Sequence, residues 1–172
     1  MARYEEYIDG IIEKDEVAFA SLYDETKQAV YAMIISIVRD SSMAEDLMQE
    51  TYMSVIEKIH QYVRGRNFLS WILVIARNKA IDYYRVHKKT LLLDQEDLDY
   101  IGNTTPARGE DQLLVADMLQ QLSQVERGIF LLHTLSNLSF RHIATVMEMP
   151  LGTVLWHYSR ATKRIKAYRE DL

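Results

Sequence analysis

Three features of this sequence predict an all-α fold of two small helical domains. Glycine and proline are scarce, six and two in 172 residues, which disfavours an all-β chain with its many tight turns. Apolar residues recur at helical spacing in segment after segment. Residues 89–110 lose that periodicity and fill with acids and turn formers, a stretch too long for a loop within one compact domain. The length itself allows one domain or two small ones.

Residues 15–38 carry Phe19, Leu22, Tyr23, Thr26, Val30, Met33, Ile34 and Ile37, the stripe of a long amphipathic helix. Asp40-Ser41-Ser42 interrupts it. Ser42-x-x-Glu45 then has the form of a capping box, opening a second helix that runs to about His60 with Leu47, Thr51, Val55 and Ile59 inward. Gly65-Arg66-Asn67 is a turn, with Asn67 placed to cap a third helix over about 68–88. The first half of that helix, Phe68 to Ala76, is apolar nearly all round and requires central burial, whereas its second half is polar and aromatic. Leu91-Leu92-Leu93 either extends this helix or begins the linker. A further helix is expected over about 111–121. The Ser123-x-x-Glu126 capping box then starts one with Ile129, Phe130, Leu132 and Leu135. A short helix after Ser139 holds Phe140, Ile143, Ala144 and Met147, and Glu148-Met149-Pro150 turns the chain. The last helix places Val154, Tyr158, Ala161, Ile165 and Tyr168 at spacings of 4, 3, 4 and 3.

The net charge of −5 hides a division along the chain. Residues 1–63 hold five bases and thirteen acids; residues 64–89 hold seven bases and a single acid, Asp82; residues 90–112 hold one base and six acids; residues 113–172 hold seven and five. Two basic surfaces separated by acidic ones fit a protein that touches both nucleic acid and a basic protein partner. A solvated helix end explains the same runs, and charge alone favours that simpler reading.

Several classes are excluded. No apolar run approaches the roughly 18–20 residues of a membrane span, and the charged start, Met1 to Glu6, lacks the apolar core of a signal peptide. A cytoplasmic protein without membrane insertion is expected. The absence of cysteine removes disulfide, zinc-ribbon and thiol chemistry. No Gly-rich phosphate loop, nucleophile elbow or HExxH is present. Glu57-x-x-His60 is half of a di-iron helix motif, but such a site needs a second pair and two more carboxylates. No catalytic residue, metal site or cofactor is expected, and the chain is not read as an enzyme.

Two stretches carry binding chemistry. Residues 139–168 have the length and turn of a helix-turn-helix, with small Ala144 and Ala161 permitting a steep, close crossing. Its second helix would lie in the major groove and present Thr153, Leu155, Trp156, Ser159, Arg160, Lys163 and Arg164. An ordinary helical hairpin explains the pattern equally well. At the end of the third helix, Arg77, Lys79, Arg85, Lys88 and Lys89 can meet phosphates, while Trp71, Tyr83 and Tyr84 offer flat faces to unstacked bases. Packing within a bundle is the better account of Trp71.

Taken together, Ala44-Glu45-Asp46-Leu47-Met48-Gln49-Glu50-Thr51-Tyr52, the run Phe68 to Arg85, and Leu151-Gly152-Thr153-Val154 opening a helix resemble the extracytoplasmic-function (ECF) sigma factors, the smallest bacterial transcription initiation factors. The resemblance implies sigma region two as a helical bundle over 1–89, an acidic flexible linker over 90–110, and sigma region four as a helix-turn-helix over 111–172. It further implies docking on the beta-prime clamp helices of core RNA polymerase through Asp46, Gln49 and Glu50. The minus-ten strand of promoter DNA would be held near Arg66, Trp71, Arg77, Asn78, Lys79, Tyr83, Tyr84 and Arg85, with loop 61–67 helping to form the pocket. Region four would grip the minus-thirty-five duplex against the beta flap through Arg141, Thr153, Leu155, Trp156, His157, Ser159, Arg160, Lys163 and Arg164. An anti-sigma factor is a further partner implied by the family alone. Two departures stand out: the basic residues usual at the Leu155 and His157 positions are missing, and Arg141-His142 replaces an acidic pair. A stand-alone helix-turn-helix regulator is the rival reading, but it leaves the Glu45–Glu50 and Arg77–Arg85 stretches unexplained. A helical metal-dependent enzyme has only Glu57 and His60 behind it.

Overall fold

The computed structural model describes residues 4–91 and 117–170, and among these every regular element is helical. Four helices form an N-terminal group: α1 (Glu5–Ile12), α2 (Glu16–Val38), α3 (Ser41–Lys58) and α4 (Phe68–Leu91), with a 3-10 turn at Ile59–Gln61 before α4. Three form a C-terminal group: α5 (Gln124–Thr134), α6 (Phe140–Met147) and α7 (Leu151–Glu170), preceded by a helical turn at 117–120. The segment between the groups, which contains nearly all of the expected 90–110 linker and most of the expected 111–121 helix, lies outside the described residues. So do Leu92 and Leu93, although Leu91 does close α4.

α1 is an addition to the sequence reading. Tyr4, Tyr7, Ile8 and Ile11 share one face at helical spacing, and Ile8 and Ile11 are buried. Gly10 allows this short helix to lie against α2, since a Cβ there would come within 2.4 Å of the Ala18 Cβ. α2 starts at Asp15, whose carboxylate accepts the Val17 N–H at 2.8 Å. It ends where Arg39 turns left-handed, with φ 58°.

The start of α3 corrects the sequence reading. Its cap is Asp40, which accepts the Met43 N–H at 2.9 Å, and the Ser42/Glu45 box does not form. A cap must sit in extended backbone just outside the helix. Asp40 does so at φ −130° and ψ 123°, directly after left-handed Arg39, while Ser42 is already inside the first turn. The Asn67 cap of α4 does form, its side-chain oxygen accepting the Ser70 N–H at 2.7 Å.

Leu22, Val30, Met33, Ile34, Leu47, Val55, Ile59, Phe68, Ile72, Leu73, Ala76 and Ala80 build the N-terminal core. Each large aliphatic buried this way contributes about 1.5–3 kcal/mol. The second half of α2 departs from an amphipathic pattern: every residue from Ala32 to Val38 is buried. One side of α2 meets α3 and α4, and α5 packs on it as well. Ala32 shares a cluster with Leu119, Leu122, Leu131 and Ala161, and Ile129, Leu132, Ile143 and Val146 continue the N-terminal core. The two helical groups are therefore joined through apolar contact, as well as along the chain.

Within the C-terminal group, the Ser123/Glu126 capping box forms as expected: Glu126 N–H donates to Ser123 Oγ at 3.3 Å and Ser123 N–H to Glu126 Oε2 at 2.9 Å. Arg127 beside it is fully buried and donates to the carbonyls of Leu119 and Leu122, each at 3.0 Å. Burial, with the Arg39 charge adding to it, pushes its pKa down to about 10. Leu135, read as an inward residue, is 47% exposed because α5 has already ended there. Ser139 caps α6, which closes at left-handed Glu148 with φ 55°. Val154 and Ala161 form the buried side of α7, with Tyr158, Ile165 and Tyr168 half-buried alongside.

Candidate nucleic-acid interface

On α3, Leu47 and Thr51 point into the core, so the residues between them and their helical neighbours face outward. Asp46, Gln49 and Glu50 are all exposed. Glu50 lies 3.3 Å from the Lys79 ammonium of α4. Met53 and Ile56 continue the same outward face and are 62% and 44% exposed. These two were overlooked in the sequence, although Met53 follows Gln49 and Glu50 by four and three residues and Ile56 follows Met53 by three, the spacing of one helix face. The result is an acidic face with an apolar end. Glu57 and His60 are exposed, and no group of three or more metal-ligating side chains occurs among the described residues.

The residues expected at the minus-ten strand do not form one patch. Trp71 is packed, its ring stacked on Phe68 at 5.6 Å and 17° and tilted against Tyr62 at 5.6 Å. Seven-residue spacing places Trp71, Asn78 and Arg85 along one side of α4, where Asn78 and Arg85 are exposed. Arg66 is exposed in the preceding loop, where Gly65 takes φ 82°. Tyr83 and Tyr84 are half-buried; Tyr83 stacks on His87 at 4.2 Å, and burial together with the Asp40 charge raises its phenol pKa. Lys79 leans towards α3. Arg77 turns the other way, to α6, where its guanidinium meets the Glu148 carboxylate at 3.0 Å and is left only 17% exposed. The side chains of Lys88 and Lys89 lie outside the described residues.

The loop feeding α4 is tied on both sides. Arg64 pairs with Asp9 of α1, and burial opposes but does not overcome the lowering of the Asp9 pKa by that hydrogen bond and charge. Asn67 contacts His142 of α6 at 3.4 Å.

On α7, Leu155 and Trp156 are 44% and 53% exposed, with Ser159, Arg160, Lys163 and Arg164 also outward and Thr153 and His157 half-buried. Arg141 is exposed at the start of α6. The sequence reading missed Glu126 as an organiser of this face. Its side chain is 1% exposed, and its carboxylate meets Arg160 Nε at 3.0 Å and Arg164 at 2.9 Å. Burial pushes the Glu126 pKa up, but the Ser123 N–H and hydroxyl with the Arg164 and Arg160 charges outweigh it, so the carboxyl lies below its ordinary 4.5. Arg160 also covers the Trp156 ring, its Cζ 4.8 Å from the centroid. With Nε committed to Glu126, the two terminal nitrogens of Arg160 are the ones left to form the fork that recognises guanine or phosphate. The signal for Glu126 was present only as a capping box; its link to Arg160 and Arg164 needs α5 and α7 side by side.

Among the described residues, no helix is long and apolar enough to cross a membrane. A model of sigma-70 region 2 matches residues 22–90, and one of sigma-70 region 4 matches residues 112–165. The ECF RNA polymerase sigma factor SigM of Bacillus subtilis (strain 168) is 29% identical over 153 residues, which cover 85% of this chain and 91% of the relative. The ECF RNA polymerase sigma factor SigX of the same strain is 25% identical over 167 residues, covering 91% and 86%. Among solved structures, the sigma factor RpoE in complex with the anti-sigma factor NepR from Bartonella quintana superposes with a TM-score of 0.69 at 25% identity, covering 88% of this chain and 96% of that one. CnrH in complex with the cytosolic domain of CnrY gives a TM-score of 0.70 over 96% of both chains at 19% identity, a likeness of fold. With both modules matched in order along most of its length, the chain belongs to the sigma-70 family of RNA polymerase sigma factors, in its extracytoplasmic-function branch.

Proposed function

We propose that this chain directs core RNA polymerase to specific promoters and melts their minus-ten element, with residues 1–89 as region two, 90–110 as an acidic linker and 111–172 as region four. The observation that carries this reading is the pairing of two modules in one chain: an outward acidic face on α3 and a helix-turn-helix with its cations outward. A stand-alone regulator has no use for the first. Asp46, Gln49 and Glu50 dock on the basic beta-prime clamp helices, with Met53 and Ile56 adding apolar area. Asn78 offers both a donor and an acceptor to a flipped base edge, Arg66 and Arg85 meet the adjacent phosphates, and Tyr83 and Tyr84 provide stacking. Flipping a base costs a few kcal/mol, which such stacking and edge bonding can offset. Arg160 reads the minus-thirty-five duplex, with Arg141, Lys163 and Arg164 along the backbone and Leu155 limited to apolar contact, such as a thymine methyl. Trp156 packs on the beta flap. An anti-sigma factor is a regulatory partner of the kind bound in the RpoE–NepR complex.

The test is promoter-specific transcription by purified core polymerase with this chain added. Asp46→Lys combined with Glu50→Lys is expected to abolish co-purification with core polymerase and all promoter-specific transcripts, while the circular dichroism of the free chain stays unchanged. Undiminished co-purification refutes the docking assignment.

A further inference from the structure

Glu126 is a buried charge aimed at the outward face of α7. Its side chain is 1% exposed and ionised at neutral pH, and its two oxygens face different groups. Oε2 accepts from the Ser123 N–H at 2.9 Å and from Arg164 Nη1 at 2.9 Å, so it is the oxygen that closes the α5 cap. Oε1 points to the recognition helix and lies 3.0 Å from Arg160 Nε. A guanidinium can grip a pair of acceptors by its side edge, Nε with one terminal nitrogen, or by its end edge, the two terminal nitrogens. With the carboxylate against Nε, the end edge is the one presented outward. The Trp156 ring lies under the guanidinium, 4.8 Å from Cζ to the ring centroid, and limits its swing. Arg164 is held as well, its Nη1 also donating to the Gln121 carbonyl at 3.3 Å. One carboxylate between two guanidiniums leaves a single net positive charge on this part of the face.

We infer that Glu126 is a specificity-determining residue of region four, which holds Arg160 as a reader of a guanine edge and keeps it from serving as a general phosphate contact. The inference deepens the minus-thirty-five role proposed above and rests on it. Guanine O6 and N7 lie in the base plane and accept a bidentate fork. A phosphate accepts from many directions and from either edge of the guanidinium. Fixing one edge before contact removes rotamer freedom in the folded chain instead of at binding, and this favours the acceptor pair that matches the fork. The carboxylate also repels phosphates, so sequence-independent attraction falls while the guanine contact is kept. Glu126 touches no base itself. It is a positioning residue, acting through Arg160.

Glu126→Gln separates the cap from the positioning. Glutamine is itself a capping-box residue, and its single oxygen can serve Ser123, while its amide nitrogen is a donor and offers nothing to Arg160 Nε. Holoenzyme formed with core polymerase selects from a duplex library whose upstream element is randomised. The base pair whose preference vanishes in Arg160→Ala is the one that Arg160 reads. At that pair, Glu126→Gln is expected to cut discrimination for guanine at least about fivefold. Its binding to a mixed-sequence duplex is expected to tighten about twofold, and its log–log salt slope to steepen by up to about 0.9. In the Arg160→Ala background the same change should leave base preferences as they are. A Glu126 that only supports the fold would weaken both kinds of binding together; that outcome, or undiminished discrimination, overturns the inference. The wild-type chain supplies a readout that needs neither the variant nor polymerase. The Arg160 Nε–H, identified by its loss from the NMR spectrum of Arg160→Ala, is expected to exchange with water more slowly than that of Arg85, whose side chain is 76% exposed. Exchange as fast as that of Arg85 overturns the pairing. If wild-type holoenzyme shows no guanine preference that depends on Arg160, the base-reading role falls and the inference with it. If it shows one that Glu126→Gln leaves intact, the role stands and only the inference falls.

Discussion

The two regions restrain their arginines with carboxylates of opposite character. In region four, Glu126 is 1% exposed and grips Arg160 and Arg164, which are themselves 45% and 41% exposed. In region two, it is the arginine that is covered: Arg77 is 17% exposed, and its partner Glu148, from the other region, is 66% exposed. A buried carboxylate that also closes its own helix cap acts as a strut, permanent while the domain is folded. An exposed carboxylate on a turn acts as a clasp, open to solvent and weakly stabilising. The same ion-pair chemistry thus positions one surface and covers the other, and the difference lies in which partner is buried.

The largest contrast is expected from removing the two carboxylates. Glu126→Ala deletes half of a capping box and two charge contacts, and is expected to cost about 2–3 kcal/mol of stability by thermal or denaturant unfolding, discounted for the half-exposed arginines. Glu148→Ala is expected to change it by less than about 0.5 kcal/mol. Equal costs would erase the distinction between strut and clasp. The lowered Glu126 pKa adds a signature in pH. Its folded pKa lies below its ordinary value of 4.5, so its contribution is complete above the unfolded pKa and is lost as pH falls through the folded one. The stability advantage of the wild type over Glu126→Gln is therefore expected to shrink on acidification below the ordinary carboxylate pKa.

Next in size is the recognition helix. Arg160→Ala is expected to cost about 1–3 kcal/mol in holoenzyme binding to a minus-thirty-five duplex. Leu155→Arg should tighten that binding and steepen its log–log salt slope by about 0.9, the counterion released by one added phosphate contact. Equal affinities and slopes in a salt series would remove α7 as the DNA reader. In region two, Asn78→Ala is expected to shift base preference at one minus-ten position in a promoter library while polymerase binding is retained; an unchanged preference profile withdraws Asn78 from the pocket. The smallest effect belongs to Asp9, whose pair with Arg64 is open to solvent. Asp9→Ala should leave the unfolding midpoint unmoved and speed amide exchange in loop 61–67 alone. Unaltered exchange there would mean that α1 does not steady the loop.

The helices themselves were legible wherever local chemistry sufficed. The Asn67 and Ser123/Glu126 caps, the inward faces of α3 and α7, and the outward set Leu155, Trp156, Ser159 and Arg160 depend on spacings of a few residues within one segment, and the structure repeats them. α1 carried the same kind of signal in Tyr4, Tyr7, Ile8 and Ile11 and went unread because the segment is short and charged. The Ser42/Glu45 box failed for a different reason: two positions two residues apart, Asp40 and Ser42, both had capping side chains, and the left-handed turn at Arg39 chose between them.

The sequence by itself determined a helical protein in two modules, with an acidic face on one and outward cations on both, because periodicity, caps and charge act over a few residues. Only the tertiary structure decided what those charges meet. Glu126 finds Arg160 and Arg164, Arg77 finds Glu148, and Gly128 lets α5 settle on Ser36. Each of these contacts joins residues 34 to 92 positions apart. No local pattern encodes such a pairing, since it arises only when apolar faces on separate helices are buried together and the charges at their rims are brought within reach.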